Sequence, residues 1–147
     1  MDNKHYRRLL IMALLSFASM YVLMYAMVDR WDNVLANLNQ VYMAGLMATP
    51  MVVIEIFLMG EMFHNKLWNA SILVTSSLLG VALFVLIRQQ TAIGDEQFLR
   101  SMIPHHAGAI LMCEEASLTG LEIRELCQSI IASQQAEIEQ MKALLAR

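Results

Sequence analysis

Two adjacent histidines, His105 and His106, are the residues best suited to chemistry in this sequence. Neighbouring positions on a helix point about 100° apart, so one imidazole can face a packed interior while the other reaches its rim. Met102 precedes the pair by three and four residues and Met112 follows it by six and seven, which brings thioethers to the same side. Further on, Gln134, Glu137 and Met141 share one helical face at spacings of three and four. Imidazole with thioether is a soft, neutral donor set that suits Cu(I) or Ag(I), and it admits Zn(II) or Cu(II) if Glu137 joins. The competing account is packing: histidines at a surface or hydrogen-bonded in a core, with methionines as filler. Spacing alone is weak ground for choosing between them.

The elements that must position these residues are helices. From Gly94 to Arg147 the chain has four Lys/Arg and eight Asp/Glu, a solvated and acidic stretch. Phe98, Met102, His105, Ala109 and Met112 mark one amphipathic stripe, and Ile123, Cys127, Ile130, Gln134, Met141 and Leu145 mark a second. Asp95 and Glu96 open the first helix, and Thr119-Gly-Leu-Glu122 reads as a capping box opening the second. Pro104 lies inside the first helix and predicts a local kink before the histidines. A turn near Thr119 makes a helical hairpin that sets His106 beside Gln134, His105 beside Gln135, Met102 near Ile138, and Cys113 level with Cys127. For the two cysteines both a disulfide and a pair of reduced thiols stay open. Two helices this short bury too little surface alone, so the hairpin is expected to pair with a second copy, as a homodimer or higher oligomer, giving a four-helix bundle.

What precedes the hairpin is built for lipid. Hydrophobic residues make up 58% of the 147 and charged residues 16%, against about 45–50% and about 25% in ordinary globular chains. Residues 9–28 carry no charge, enough to cross a hydrocarbon core about 30 Å thick. Residues 41–62, interrupted by Pro50 and Glu55, and the uncharged 67–87 make two further spans. A cleaved signal peptide is the rival reading of the first span, but its apolar run is longer than such peptides use. The expected organisation is all-α: a three-helix transmembrane region over 1–90 and a soluble His/Met hairpin over 94–147.

Lys4, Arg7 and Arg8 place the amino terminus in the cytoplasm, and Lys66 places the second turn there too. Three crossings leave the hairpin outside, periplasmic or external, for a bacterial inner membrane. Membrane lipid is the expected surrounding. With a net charge of -3 and no basic run, nucleic acid is excluded as a partner.

The membrane part has its own candidates. Met43, Met47, Met51, Glu55 and Met59 recur every four residues, and Met20, Met24 and Met27 make a shorter stripe. Such thioethers could pass soft cations, although methionine is also an adaptable packing residue. An acid in hydrocarbon marks a pathway or a partner by default, so Met47, Met51, Glu55 and Met59 are the candidate intramembrane path. Glu61-x-x-His64, at the inner boundary, reads as an exposed interfacial pair.

The stretch Asp95-Glu-Gln-Phe-Leu-Arg-Ser-Met102-Ile-Pro-His105-His106-Ala-Gly-Ala-Ile-Leu-Met112, followed by Gln134-x-x-Glu137-Ile-x-x-Met141, resembles the family called domain of unknown function 305. The resemblance covers residues 95–145. It implies a ferritin-like fold, here in a membrane-anchored form, and a role in copper or silver binding and resistance. It carries over Met102, His105, His106, Met112, Gln134, Glu137 and Met141 as the metal-binding positions. A di-iron site is not implied, because that chemistry needs several inward carboxylates and paired Glu-x-x-His motifs that the hairpin lacks. No Ser/His/Asp or Cys/His set and no phosphate-binding glycine loop can be assembled, so the expectation is a binder, not an enzyme. Soft-metal handling or tolerance is the leading reading, with copper(I) or silver(I) as ligand, zinc or copper(II) as alternatives, and a metal donor or acceptor protein of unknown identity. One rival is transport, or a transport accessory, using the Met stripe and Glu55. The other is a metal-free structural or interaction module.

Overall fold

A computed structural model describes residues 3–147. Among these the chain is all-α, with five helices and no strand: α1 Asn3–Leu23, α2 Leu38–Leu58, α3 Lys66–Gln89, α4 Asp95–Glu115 and α5 Leu121–Leu145. Tight 3-10 turns cover Met24–Met27, Trp31–Asn33 and Gly60–Met62. The chain divides into two compact units. One gathers α1 with Asn39–Thr91, and the other gathers Met24–Leu38 with Ala92–Arg147.

Among the described residues three helices are long and apolar enough to cross a membrane, Lys4–Met27, α2 and α3. Small residues let these helices approach closely at two points of the first unit. A Cβ on Gly45 would lie 2.9 Å from Leu83 Cδ1, and one on Gly80 would lie 2.9 Å from Thr49 Oγ1. Ala44, Ala48 and Thr49 complete the buried face of α2. Close approach through small side chains is how helices associate where lipid supplies no hydrophobic drive.

The end of this unit near residue 63 is tied by polar groups. The Asn65 side chain caps α3, accepting from the Leu67 and Trp68 N–H groups, both at 3.1 Å. The Tyr6 hydroxyl donates to Asn69 Oδ1 at 2.8 Å, and Asn69 Nδ2 donates to the Phe63 carbonyl at 2.7 Å. Leu9, Ile56 and Phe63 are buried beside them. Glu55 lies in the last turn of α2, near this end rather than at mid-span.

The second unit has a conventional core. Ile103, Ala107 and Ile110 of α4 meet Ile138 and Met141 of α5, with Leu99, Met102, Ile131 and Leu145 packed around them. Val28 and Leu35 join this cluster. They belong to Met24–Leu38, which the sequence reading counted with the transmembrane region. This segment is folded by local bonds. The Tyr25 hydroxyl donates to the Leu35 carbonyl at 2.8 Å, Asn33 Nδ2 donates to Asp29 Oδ1 at 2.7 Å, and the Val34 N–H donates to the Trp31 carbonyl at 3.1 Å. Gln97 of α4 accepts the Leu38 N–H at 2.9 Å. Two helices therefore find a third layer within their own chain.

Helix α4 runs unbroken through Pro104. The capping box expected at Thr119 does not form. Gly120 is the N-cap of α5 and no side chain caps that end. Between the extended residues Ala116 and Gly120, the Leu118 N–H turns back onto the Ala116 carbonyl instead.

Candidate metal centre

His106 is the one candidate donor that is both buried and fully hydrogen-bonded. It is 8% exposed, on the face of α4 that turns toward α5. Its Nδ1 lies 2.9 Å from the Met102 carbonyl oxygen and its Nε2 lies 2.7 Å from Glu137 Oε2. A carbonyl oxygen only accepts, so Nδ1 carries the hydrogen and donates it. Nε2 and Glu137 then share one further proton, as an imidazolium facing a carboxylate or a neutral ring accepting from a carboxylic acid. Nδ1–H on a backbone carbonyl is also the arrangement that orients a histidine for ligation through Nε2.

Gln134 was expected level with His106, yet the bond goes to Glu137, one turn further along α5. Side chains on a helix lean toward its amino terminus, so the Glu137 carboxylate reaches back to the level of Gln134. Gln134 is itself half-buried, and its Oε1 has no hydrogen-bond partner. A buried acceptor without a donor costs free energy unless water or an ion meets it. Nitrogen, carboxylate and amide oxygen make a donor set suited to a borderline divalent ion.

The remaining candidates lie elsewhere. Met141 is buried in the apolar core and Met102 packs against it, so both thioethers fill space between aliphatic side chains. His105 is exposed, its ring centroid 6.3 Å from that of His106 with the planes 62° apart. Met112 is 54% exposed and nearly two turns from His106, so it does not reach the His106–Glu137 pair. The seven positions do not converge on one point. Among the described residues, no group of three or more His, Cys, Asp and Glu side chains gathers in a way that could hold a metal ion.

Cys113 and Cys127 are joined in a disulfide across α4 and α5, with Cα atoms 5.3 Å apart. In the first unit the residues of the Met stripe differ in exposure. Met47 and Met59 face outward, while Met51 sits with Met12 and Met20 in a groove beside α1.

Sequence reasoning missed the docking of Met24–Leu38. A faint signal was present in its apolar residues Val28, Val34 and Leu35, which fit neither a helical nor an alternating period and so needed a tertiary partner.

Residues 83–145 match the model of a family described as a domain of unknown function, DUF305. An uncharacterized protein of Acanthamoeba polyphaga mimivirus is 32% identical over 143 residues, which cover 93% of this chain and 90% of that one. No solved structure matches the chain.

Proposed function

This chain belongs to the DUF305 family, and from that premise we propose that it is a membrane-anchored metal-binding protein that handles copper, with His106 and Glu137 as its first donors. The observation that carries the reading is the orientation of His106, whose buried Nδ1–H is fixed on the Met102 carbonyl so that Nε2 faces a carboxylate. An ion bound there takes the place of the proton shared by His106 and Glu137, with Gln134 Oε1 as the next donor within reach. This set favours Cu(II) or Zn(II) over the Cu(I) or Ag(I) that thioethers would select. Because binding displaces that shared proton, affinity rises with pH.

The role is binding rather than catalysis. The α4–α5 pair is read as an extracytoplasmic helical hairpin of ferritin-like kind, with the amino terminus of the chain in the cytoplasm. The disulfide supports this placement, because such bonds persist in oxidising compartments. Pairing with a second copy would complete a four-helix bundle.

The test is a titration of the full chain in detergent micelles with Zn(II) and Cu(II), comparing wild type with His106→Gln and Glu137→Gln. Loss of tight binding in His106→Gln with helicity unchanged is the expected result. Equal binding in all three would remove the site. A metal-free interaction module is the second reading, favoured by the packing of Met102 and Met141 in the core. It predicts a folded protein with no tight divalent binding at any pH.

A further inference from the structure

A stripe of α1 at spacings of three and four, Arg8, Met12, Leu15, Ser19 and Leu23, lines a groove of about 480 Å³ that Met51 of α2 also lines. That volume lies within the roughly 300–1,000 Å³ of small-molecule sites. Leu15 and Leu23 are 63% and 66% exposed, so the groove opens on whatever surrounds the helix. Inside it the Ser16 hydroxyl donates to Met12 Sγ at 3.5 Å, so these two groups meet each other and the floor stays apolar. Charge stands at one end only. Lys4, Arg7 and Arg8 crowd the start of α1, the helix holds no acid, and Arg8 reaches the groove itself. Lys4 lies four residues before Arg8, on the same face of the helix. From Arg8 to Leu23 the helix rises about 22 Å at 1.5 Å per residue, more than the roughly 15 Å depth of one leaflet of a 30 Å hydrocarbon core.

We infer that this groove is a binding site for one anionic phospholipid, whose phosphate meets Arg8 with Lys4 beside it and one of whose acyl chains lies along Met12, Leu15 and Met51. A cationic mouth on an apolar trough a leaflet deep complements a molecule with one anionic end and one apolar length. Basic side chains at the border of membrane helices recognise anionic headgroups in this way, and the long Arg8 side chain can hold its charge at headgroup level while its stem follows the groove. A zwitterionic headgroup gains less, because its own cation stands next to the phosphate. A second copy is a poorer occupant. Two copies in one membrane point the same way, so an α1–α1 contact would set two Arg8 side chains level with each other and repel. The inference rests on the reading of the first unit as membrane-spanning. It shares no residue with His106 and Glu137, so the lipid site and the metal centre can fail separately.

The test uses the full chain in detergent micelles mixed with phosphatidylglycerol or phosphatidylcholine of the same chain length. Native mass spectrometry counts the lipid retained by wild type, Arg8→Gln, Arg7→Gln and Ser19→Phe. Wild type is expected to retain phosphatidylglycerol in preference to phosphatidylcholine. Arg8→Gln should lose about fivefold in phosphatidylglycerol affinity, the share of one basic side chain in attraction to an anionic surface. Arg7→Gln, turned about 100° around the helix from Arg8, keeps the wild-type preference. Ser19→Phe fills the groove and should lower retention of both lipids with helicity unchanged. Glycerol 3-phosphate, which has the anion without the chain, should not displace the lipid. Equal retention of the two lipids by wild type, equal losses in Arg8→Gln and Arg7→Gln, or displacement by glycerol 3-phosphate would each overturn the inference. A lipid-free dimer that Ser19→Phe breaks would overturn it in favour of a second copy in the groove. A chain that stays monomeric without detergent would overturn the membrane reading and this inference with it.

Discussion

The two units of this chain solve opposite packing problems with the same element. In the first, the most apolar stretch of α3 has none of its residues buried inside the protein, and Leu78, Leu79, Val81 and Phe84 face outward. In the second, Ile103 and Ala107 have no exposed surface, and the outer faces of α4 and α5 carry the acids. An apolar outer surface is stable only if its surroundings are apolar, so the outer face of the first unit suits a membrane. The means of cohesion differ accordingly. Gly45, Gly80 and Thr49 let helices approach in one unit beside a small cluster around Leu9, Ile56 and Phe63, whereas a larger aliphatic cluster and a disulfide hold the other.

The comparison is broken most severely by emptying the second core. Ile103→Ala removes a fully buried side chain, and a loss of about 2–5 kcal/mol is expected from transfer and cavity terms together. Leu78→Ala, on the outward face of α3, should cost far less, because its side chain is already 64% exposed. Unfolding in micelles followed by helical ellipticity checks both. Similar losses at the two positions would show that α3 packs against protein after all.

Reduction of the disulfide comes next. Cys113 and Cys127 are 14 residues apart, and closing a loop of this size is worth about 3 kcal/mol in the chain-entropy account. A thermal melt with and without a phosphine reductant should therefore lower the transition of the second unit and spare that of the first. A single shift common to both would show that the units unfold together.

In the first unit the corresponding damage is steric. Gly80→Leu drives a branched side chain into Thr49, where even a Cβ meets the hydroxyl oxygen at 2.9 Å, and overpacking of this kind costs about 1–3 kcal/mol. Gly60→Ala, where a Cβ meets nothing within 4 Å, serves as the control and should leave stability within about 0.5 kcal/mol of wild type.

How far these differences were legible in the sequence follows from their range along the chain. The three long apolar helices were readable because apolar runs of about 20 residues leave few alternatives, although α1 and α2 begin before the apolar runs, at Asn3 and Leu38, and α1 tightens at Met24–Met27. The level of Cys113 with Cys127 followed from counting back from a short turn. The partner of His106 did not, because counting places Cα atoms and ignores the lean of a side chain along its helix. The docking of Val28 and Leu35 on α4 was out of reach altogether. It joins residues some seventy positions apart through apolar contacts with no periodic signature. For the same reason the seven candidate ligands read as one set, although only His106 and Glu137 are bonded to each other through their side chains.

That bonded pair gives the smallest expected effect on stability and the sharpest on chemistry. The Glu137 side chain is 52% exposed while that of His106 is 10% exposed, so water can replace the carboxylate at one end only. Glu137→Gln keeps the length of the side chain and a group able to bond Nε2. It removes the negative charge that faces Nε2. A hydrogen bond to a charged group contributes about 1.5–3 kcal/mol when buried, and exposure of one partner brings the expectation down to about 1 kcal/mol. Denaturation midpoints of wild type and Glu137→Gln in micelles check this size. A loss of about 3 kcal/mol would show that the bond is worth as much as a fully buried one, and that water does not replace the carboxylate at its exposed end.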